Sequence, residues 1–133
     1  KQVGTIPLVI DKGRIMAIMV TARNSEKTWI FPKGHREKGV ADEKMSLLEA
    51  YEEAGVTGHV FPKSCGKFKY SKMGRNYTVK FFPMLVKNVL PKWPEKNQRK
   101  RIIIPINDAF GMIQSDKIIK LLKRSAKKIR NKT

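Results

Sequence analysis

The chain is 133 residues long and 41% hydrophobic, and it carries 29 lysines and arginines against 11 aspartates and glutamates, a formal net charge of +18. That length predicts a single domain, 1–133, with a real core. No apolar run reaches the roughly 18 residues of a membrane span, and no signal-peptide pattern is expected at the amino end. One cysteine, Cys65, excludes an internal disulfide. With only His35 and His59 beside it there is no zinc-ligand spacing, so a reduced, cytoplasmic setting is expected.

In chain order, residues 3–10 read as a strand, Asp11-Lys12-Gly13 as a turn, and residues 15–20 as a second strand pairing back in a hairpin. Trp29-Ile30-Phe31-Pro32 is a short strand leading into a loop at Gly34. A helix follows, with Asp42 as N-cap, Glu43 in the first turn and Gly55 as the left-handed residue that ends it. Residues 56–61 and 66–70 read as strands, Gly74-Arg75-Asn76 as a turn, and 77–89 as a longer strand. A polar loop then runs from Lys92 to Arg101, followed by a buried-type strand over 102–106. A terminal helix covers about 116–129 with Ile118, Leu122, Ser125 or Ala126, and Ile129 inward, and 131–133 form a short tail. Mixed strands with one central and one terminal helix predict an α/β sandwich.

The central helix carries the chemistry. Leu47, Ala50, Tyr51 and Ala54 make one apolar face, and Glu49, Glu52 and Glu53 are expected on roughly the opposite side. Like charges at this spacing cost about 0.2–0.5 kcal/mol per pair, a cost that a hard divalent cation offsets. An acidic helix face is often merely solvated. Here, however, Asp42, Glu43, Glu49, Glu52 and Glu53 cluster in a strongly basic chain that has no acidic residue from Ala54 through Pro94.

The stretch Gly34-His35-Arg36-Glu37-Lys38-Gly39-Val40, followed by Leu48-Glu49-Ala50-Tyr51-Glu52-Glu53-Ala54-Gly55-Val56, resembles the signature of the Nudix hydrolases, G-x5-E-x7-R-E-U-x-E-E-x-G-U with U a bulky apolar residue. Val40 stands where that pattern has its first Glu, Leu48 where it has Arg, and Ala50 is small for its apolar slot. In the family that Glu and Arg form an ion pair. Val40 and Leu48 are therefore expected to pack together in its place, so that Val40→Glu or Leu48→Arg alone costs a few kcal/mol.

The Trp29-Ile30-Phe31-Pro32-Lys33-Gly34 lead-in also resembles the family. The basic run 99–101, ahead of an apolar strand and a closing helix, resembles the branch that hydrolyses diphosphoinositol polyphosphates and dinucleoside polyphosphates. That branch has an acidic residue directly after the run, where this chain has Ile102.

The resemblance implies an α/β/α sandwich, with a mixed sheet flanked by helices, that cleaves a diphosphate (P–O–P) linkage. It implies Mg²⁺ or Mn²⁺ held by Glu49, Glu52 and Glu53 with the Gly34 carbonyl, and one glutamate, with Glu53 the candidate, taking the proton from the attacking water. Glu37 is a further candidate ligand or structural hydrogen-bonding group.

A polyphosphate needs cations. Lys33, Arg36, Arg23, Arg75 and Lys100 are the candidate substrate-binding residues, each weighed against an ordinary surface charge. The cations of the terminal helix read as a solvated face, with weak nucleic-acid binding as the alternative. The rival to an enzyme is a catalytically impaired member of the fold that binds nucleotides or RNA. The expected partner is a phosphorylated small molecule, with no membrane role.

Overall fold

The structure is a computed structural model and describes residues 1–132. In chain order it comprises β1 (Gln2–Asp11), β2 (Arg14–Ala22), β3 (Ser25–Ile30), β4 (Lys33–His35), α1 (Asp42–Ala54), β5 (Val56–Val60), β6 (Gly66–Lys72), β7 (Arg75–Val89), β8 (Arg101–Pro105), α2 (Ile106–Phe110) and α3 (Asp116–Lys132).

Alternation along β2 sets the layers. Ala17 and Met19 belong to one core and Ile18 and Val20 to the other, and all four are fully buried. A strand apolar on both faces must be covered on both. The sheet has eight strands with the path β3-β2-β1-β7-β5, β4 pairing β1, β6 pairing β7 and β8 pairing β2. The β1–β7 pair is parallel and the other pairs are antiparallel, so the sheet is mixed.

α1 covers one face through Ala50 and Ala54, against Ile18, Val20, Val56, Met84 and Val86. α2 and α3 cover the other, where Ala109, Leu121, Leu122 and Ile129 meet Ile6, Leu8, Met19 and Phe81. This is the expected α/β/α sandwich. No helix among the described residues is long and apolar enough to cross a membrane.

Local departures have local causes. Gly34 lies in the short strand β4, registered opposite Val3, because β1 offers it a partner that the sequence could not reveal. The hairpin turn is made by Met73 and Gly74, both at positive φ, so Arg75 and Asn76 already belong to β7. α2 spans only five residues, too short to print a period. Asn131 and Lys132, expected as tail, continue α3, and Thr133 lies outside the described residues.

Candidate active site

Three pieces of chain build the site: the β4 strand, the α1 helix and the segment 91–100. α1 is capped differently from expectation. Its N-cap is Ala41, with no side-chain cap, and Asp42 is its first residue. The Asp42 carboxylate takes Lys80 Nζ at 2.9 Å and Arg36 Nε at 2.9 Å instead of a backbone amide. The Lys80 hydrogen bond and the two cations hold its pKa below the usual carboxylate range, against the opposing effect of burial. At the other end Gly55 takes φ 66° and donates its N–H to Tyr51 O at 3.0 Å, as expected. Its missing side chain is also a packing need, since a Cβ there would meet the Trp93 indole at 2.7 Å.

The carboxylates do not all lie opposite the apolar face. Glu53 is about 60° around the helix from Ala50 and turns inward with it, its side chain only 6% exposed. Tyr51, expected inward, is 39% exposed. Glu53 Oε1 accepts the Lys33 N–H at 3.2 Å, and Arg99 Nη2 stands 3.7 Å from Oε2. Burial pushes the Glu53 pKa up to about 8. The Arg99 charge and the Lys33 amide oppose this rise, while Glu49 and Glu95 add to it. Glu49 is also raised, by burial first and then by the Glu52 charge, with a hydrogen bond to Glu53 acting the other way. Gly34 lies directly against the Glu49 carboxyl, where any Cβ would overlap both carboxylate oxygens.

Two site residues escaped the sequence reading. Glu95 donates its backbone N–H to Glu52 O at 3.0 Å, and its charge bears on both Glu49 and Glu53. The Arg99 side chain is 8% exposed; its Nε meets Glu95 Oε1 at 2.7 Å and its Nη1 donates to Thr21 O at 3.0 Å. Both lie in a segment read as a polar loop. The available signal was that Glu95 ends the long stretch without acids and stands four residues before Arg99.

The expected cations are spread around this centre. Lys33 reaches Glu53 through its amide, while its ammonium lies over the Tyr70 ring, 5.0 Å from the centroid, on the other side of the strand. Arg36 is bound to Asp42, and Arg23 to Glu95 at 3.0 Å. Lys100 turns its ammonium to Glu26 on exposed β3, at 3.7 Å. Arg75 sits at the β6–β7 turn opposite Lys72. Trp93 donates its indole N–H to Glu53 O at 3.0 Å. Tyr77 stacks on Tyr70 with centroids 5.0 Å apart.

Among the described residues, no group of three or more acidic, histidine or cysteine side chains encloses a metal position by itself. A hard divalent cation such as Mg²⁺ takes one or two carboxylates and completes its shell with water and substrate phosphate. The donor set fits such a cation. Glu53 is a buried and Glu49 a half-buried oxygen donor, both destabilised as anions, and the Gly34 backbone lies directly against the Glu49 carboxyl.

No family model matches the chain. Individual relatives do. It is 33% identical over 119 residues to "Nudix hydrolase 21, chloroplastic" of Arabidopsis thaliana, covering 85% of this chain and 59% of that protein. It is 35% identical over 94 residues to "Nudix hydrolase 18, mitochondrial" of the same plant, covering 69% and 53%. Among solved structures, a C. elegans Ap4A hydrolase binary complex superposes with a TM-score of 0.78 at 20% identity, covering 98% of this chain and 97% of that one. At that identity the match speaks for the fold. With sequence relatives and fold in agreement, the chain belongs to the Nudix hydrolase family. It spans 50% to 63% of the length of the curated relatives it matches.

The two apolar replacements in the family signature, Val40 and Leu48, share one surface hollow. Glu37, Leu47 and Tyr51 line it with them, and Leu48 is 44% exposed. A charge placed there stays hydrated. The expected cost of Val40→Glu or Leu48→Arg therefore falls from a few kcal/mol to under about 1 kcal/mol, and the double variant should show coupling of about 0.5 kcal/mol. Urea denaturation of the four-member cycle measures this. A single-variant loss of several kcal/mol would place either residue in the core after all.

Proposed function

We propose that this chain hydrolyses the P–O–P linkage of a nucleoside or dinucleoside polyphosphate with the help of Mg²⁺ or Mn²⁺. The observation that carries the reading is the pair of carboxyls beside β4, with Glu49 half-buried against the bare backbone of Gly34 and Glu53 buried on the Lys33 amide, both raised in pKa by desolvation. Glu49, Glu52 and Glu53, with the Gly34 carbonyl, would hold the cation. Once bound, the cation polarises a phosphoryl oxygen and lowers the pKa of water. Glu53 takes the proton from the water that attacks phosphorus. Its Oε1 is occupied by the Lys33 amide, so Oε2 is the accepting atom. A carboxyl with pKa near the working pH is the efficient base.

A cavity of about 260 Å³ favours nucleotides over diphosphoinositols. Trp29, Phe31, Phe68, Phe81 and Ile113 give it apolar walls, Thr28 and Gln114 add hydrogen-bonding groups, and Lys27 and Lys33 bring positive charge. Such walls suit a planar base, whereas a fully phosphorylated ring needs cations on every side. Lys33 belongs to both parts, its amide on Glu53 and the residue itself in the cavity wall.

Phosphate release separates the readings. The panel is nucleoside triphosphates, dinucleoside polyphosphates, capped and triphosphorylated RNA, diphosphoinositols and ADP-ribose, each with and without excess chelator. Nucleotides with three or more phosphates should turn over best, only with the divalent cation, and with a salt-sensitive rate given the +18 charge. Turnover of diphosphoinositols alone would remove the base from the cavity. No turnover, together with a steep salt dependence of RNA affinity, would favour the binding protein. The single cysteine fits a reducing compartment such as the cytoplasm, and localisation of the tagged full-length protein tests that.

A further inference from the structure

We infer that Arg99 is the positioning residue of the carboxylate site, the side chain that locks α1, β2 and the 91–100 segment into one frame around Glu53. The inference rests on the metal-dependent reading above. Each guanidinium nitrogen meets a different piece of the chain. Nη1 donates to Thr21 O at 3.0 Å, at the end of β2. Nε donates to Glu95 Oε1 at 2.7 Å. Nη2 faces Glu53 Oε2 at 3.7 Å. The side chain is 8% exposed, so the guanidinium is largely withdrawn from bulk water.

The rest of the segment is built to deliver it. Glu95 N–H binds Glu52 O, Trp93 Nε1 binds Glu53 O, and the Lys100 N–H binds Thr21 Oγ1 at 2.9 Å. Arg101, stacked on Trp93 with 4.1 Å to the ring centroid, donates to Ala54 O at 2.9 Å. Arg99 is thus held by two tight bonds that do not involve Glu53. Its third nitrogen is left facing the Glu53 oxygen assigned to the proton.

Only a planar fork can satisfy three directions at once, so lysine is an incomplete substitute. Groups that orient a ligating carboxylate from behind typically change metal affinity or activity by about 10–100-fold when removed. A surface phosphate-binding arginine would instead raise KM.

The test uses the full chain with Mn²⁺ as the probe. Wild type, Arg99→Met, Arg99→Lys and the double variant Arg99→Met/Glu95→Met are titrated with Mn²⁺ by electron paramagnetic resonance, and kcat and KM are measured with a nucleoside triphosphate. The double variant removes Arg99 and Glu95 together, so that neither is left facing the other's missing charge. Circular dichroism checks each variant.

Arg99→Met and the double variant should bind Mn²⁺ at least about tenfold more weakly and lose at least about tenfold in kcat with KM little changed, and Arg99→Lys should recover part of both. Wild-type Mn²⁺ affinity in a folded variant lacking Arg99 overturns the inference. So does a gain in affinity, which would make the guanidinium a competitor of the cation. A rise in KM alone makes Arg99 a substrate ligand. Wild type that binds Mn²⁺ without turnover removes the hydrolase reading and leaves the Mn²⁺ titration to decide on Arg99. Wild type that binds none removes both.

Discussion

Glu53→Gln is expected to lower turnover by about two to four orders of magnitude while keeping the fold. The amide preserves the shape of the side chain and can still accept the Lys33 N–H, so the local structure has no reason to change. What is lost is the proton acceptor and one anionic donor for the cation. Glu52→Gln should also lose activity, through weaker cation binding. Its effect should be smaller, because Glu52 is more exposed than Glu53. Steady-state kinetics at saturating Mg²⁺, paired with circular dichroism, reads both variants. Near-wild-type turnover in Glu53→Gln would remove Glu53 as the base and pass the role to Glu49 or Glu52.

The same buried carboxyl should make the metal-free protein lose stability as pH rises. In the fold Glu53 titrates at about 8, against an ordinary value of 4.5. Between those values the folded chain keeps a proton that the unfolded chain has released. The unfolded state therefore binds fewer protons, and stability falls with increasing pH across that interval. The loss is at most a few kcal/mol, since one pKa unit is worth about 1.4 kcal/mol.

Asp42 works in the opposite direction. Its pKa is lowered by Lys80, so its contribution is present above the ordinary value of 3.8 and lost as pH falls through its folded-state value. Stability of the metal-free chain should thus peak near pH 5. Urea midpoints from pH 3 to 9 give the profile, and Glu53→Gln should flatten its alkaline side. Mg²⁺ at pH 8 should restore the loss in wild type, because an ion that binds only the native state stabilises it by mass action. A flat profile from pH 5 to 8 would mean that Glu53 is hydrated in solution.

Periodicity, caps and the spacing of the acidic helix were enough, in sequence alone, to place most strands, the two long helices, the glycine that ends α1 and the family signature. These are local properties. A strand alternates because its two faces differ, and a helix ends where a left-handed glycine allows it. The inward turn of Glu53 was not legible in the same way. From periodicity it is expected opposite the apolar face, and only the register of α1 on the sheet decides whether a side chain at the edge of that face is buried or wet. Nor could the basic run 99–101 say which of its members matters. Lys100 turns outward to Glu26, while Arg99 enters the site because Thr21 and Glu53, from distant stretches of chain, join its near neighbour Glu95 around one guanidinium. The approach of Thr21 and Glu53 is a product of tertiary packing, where partners are chosen by proximity in the folded chain and no spacing along the sequence records it.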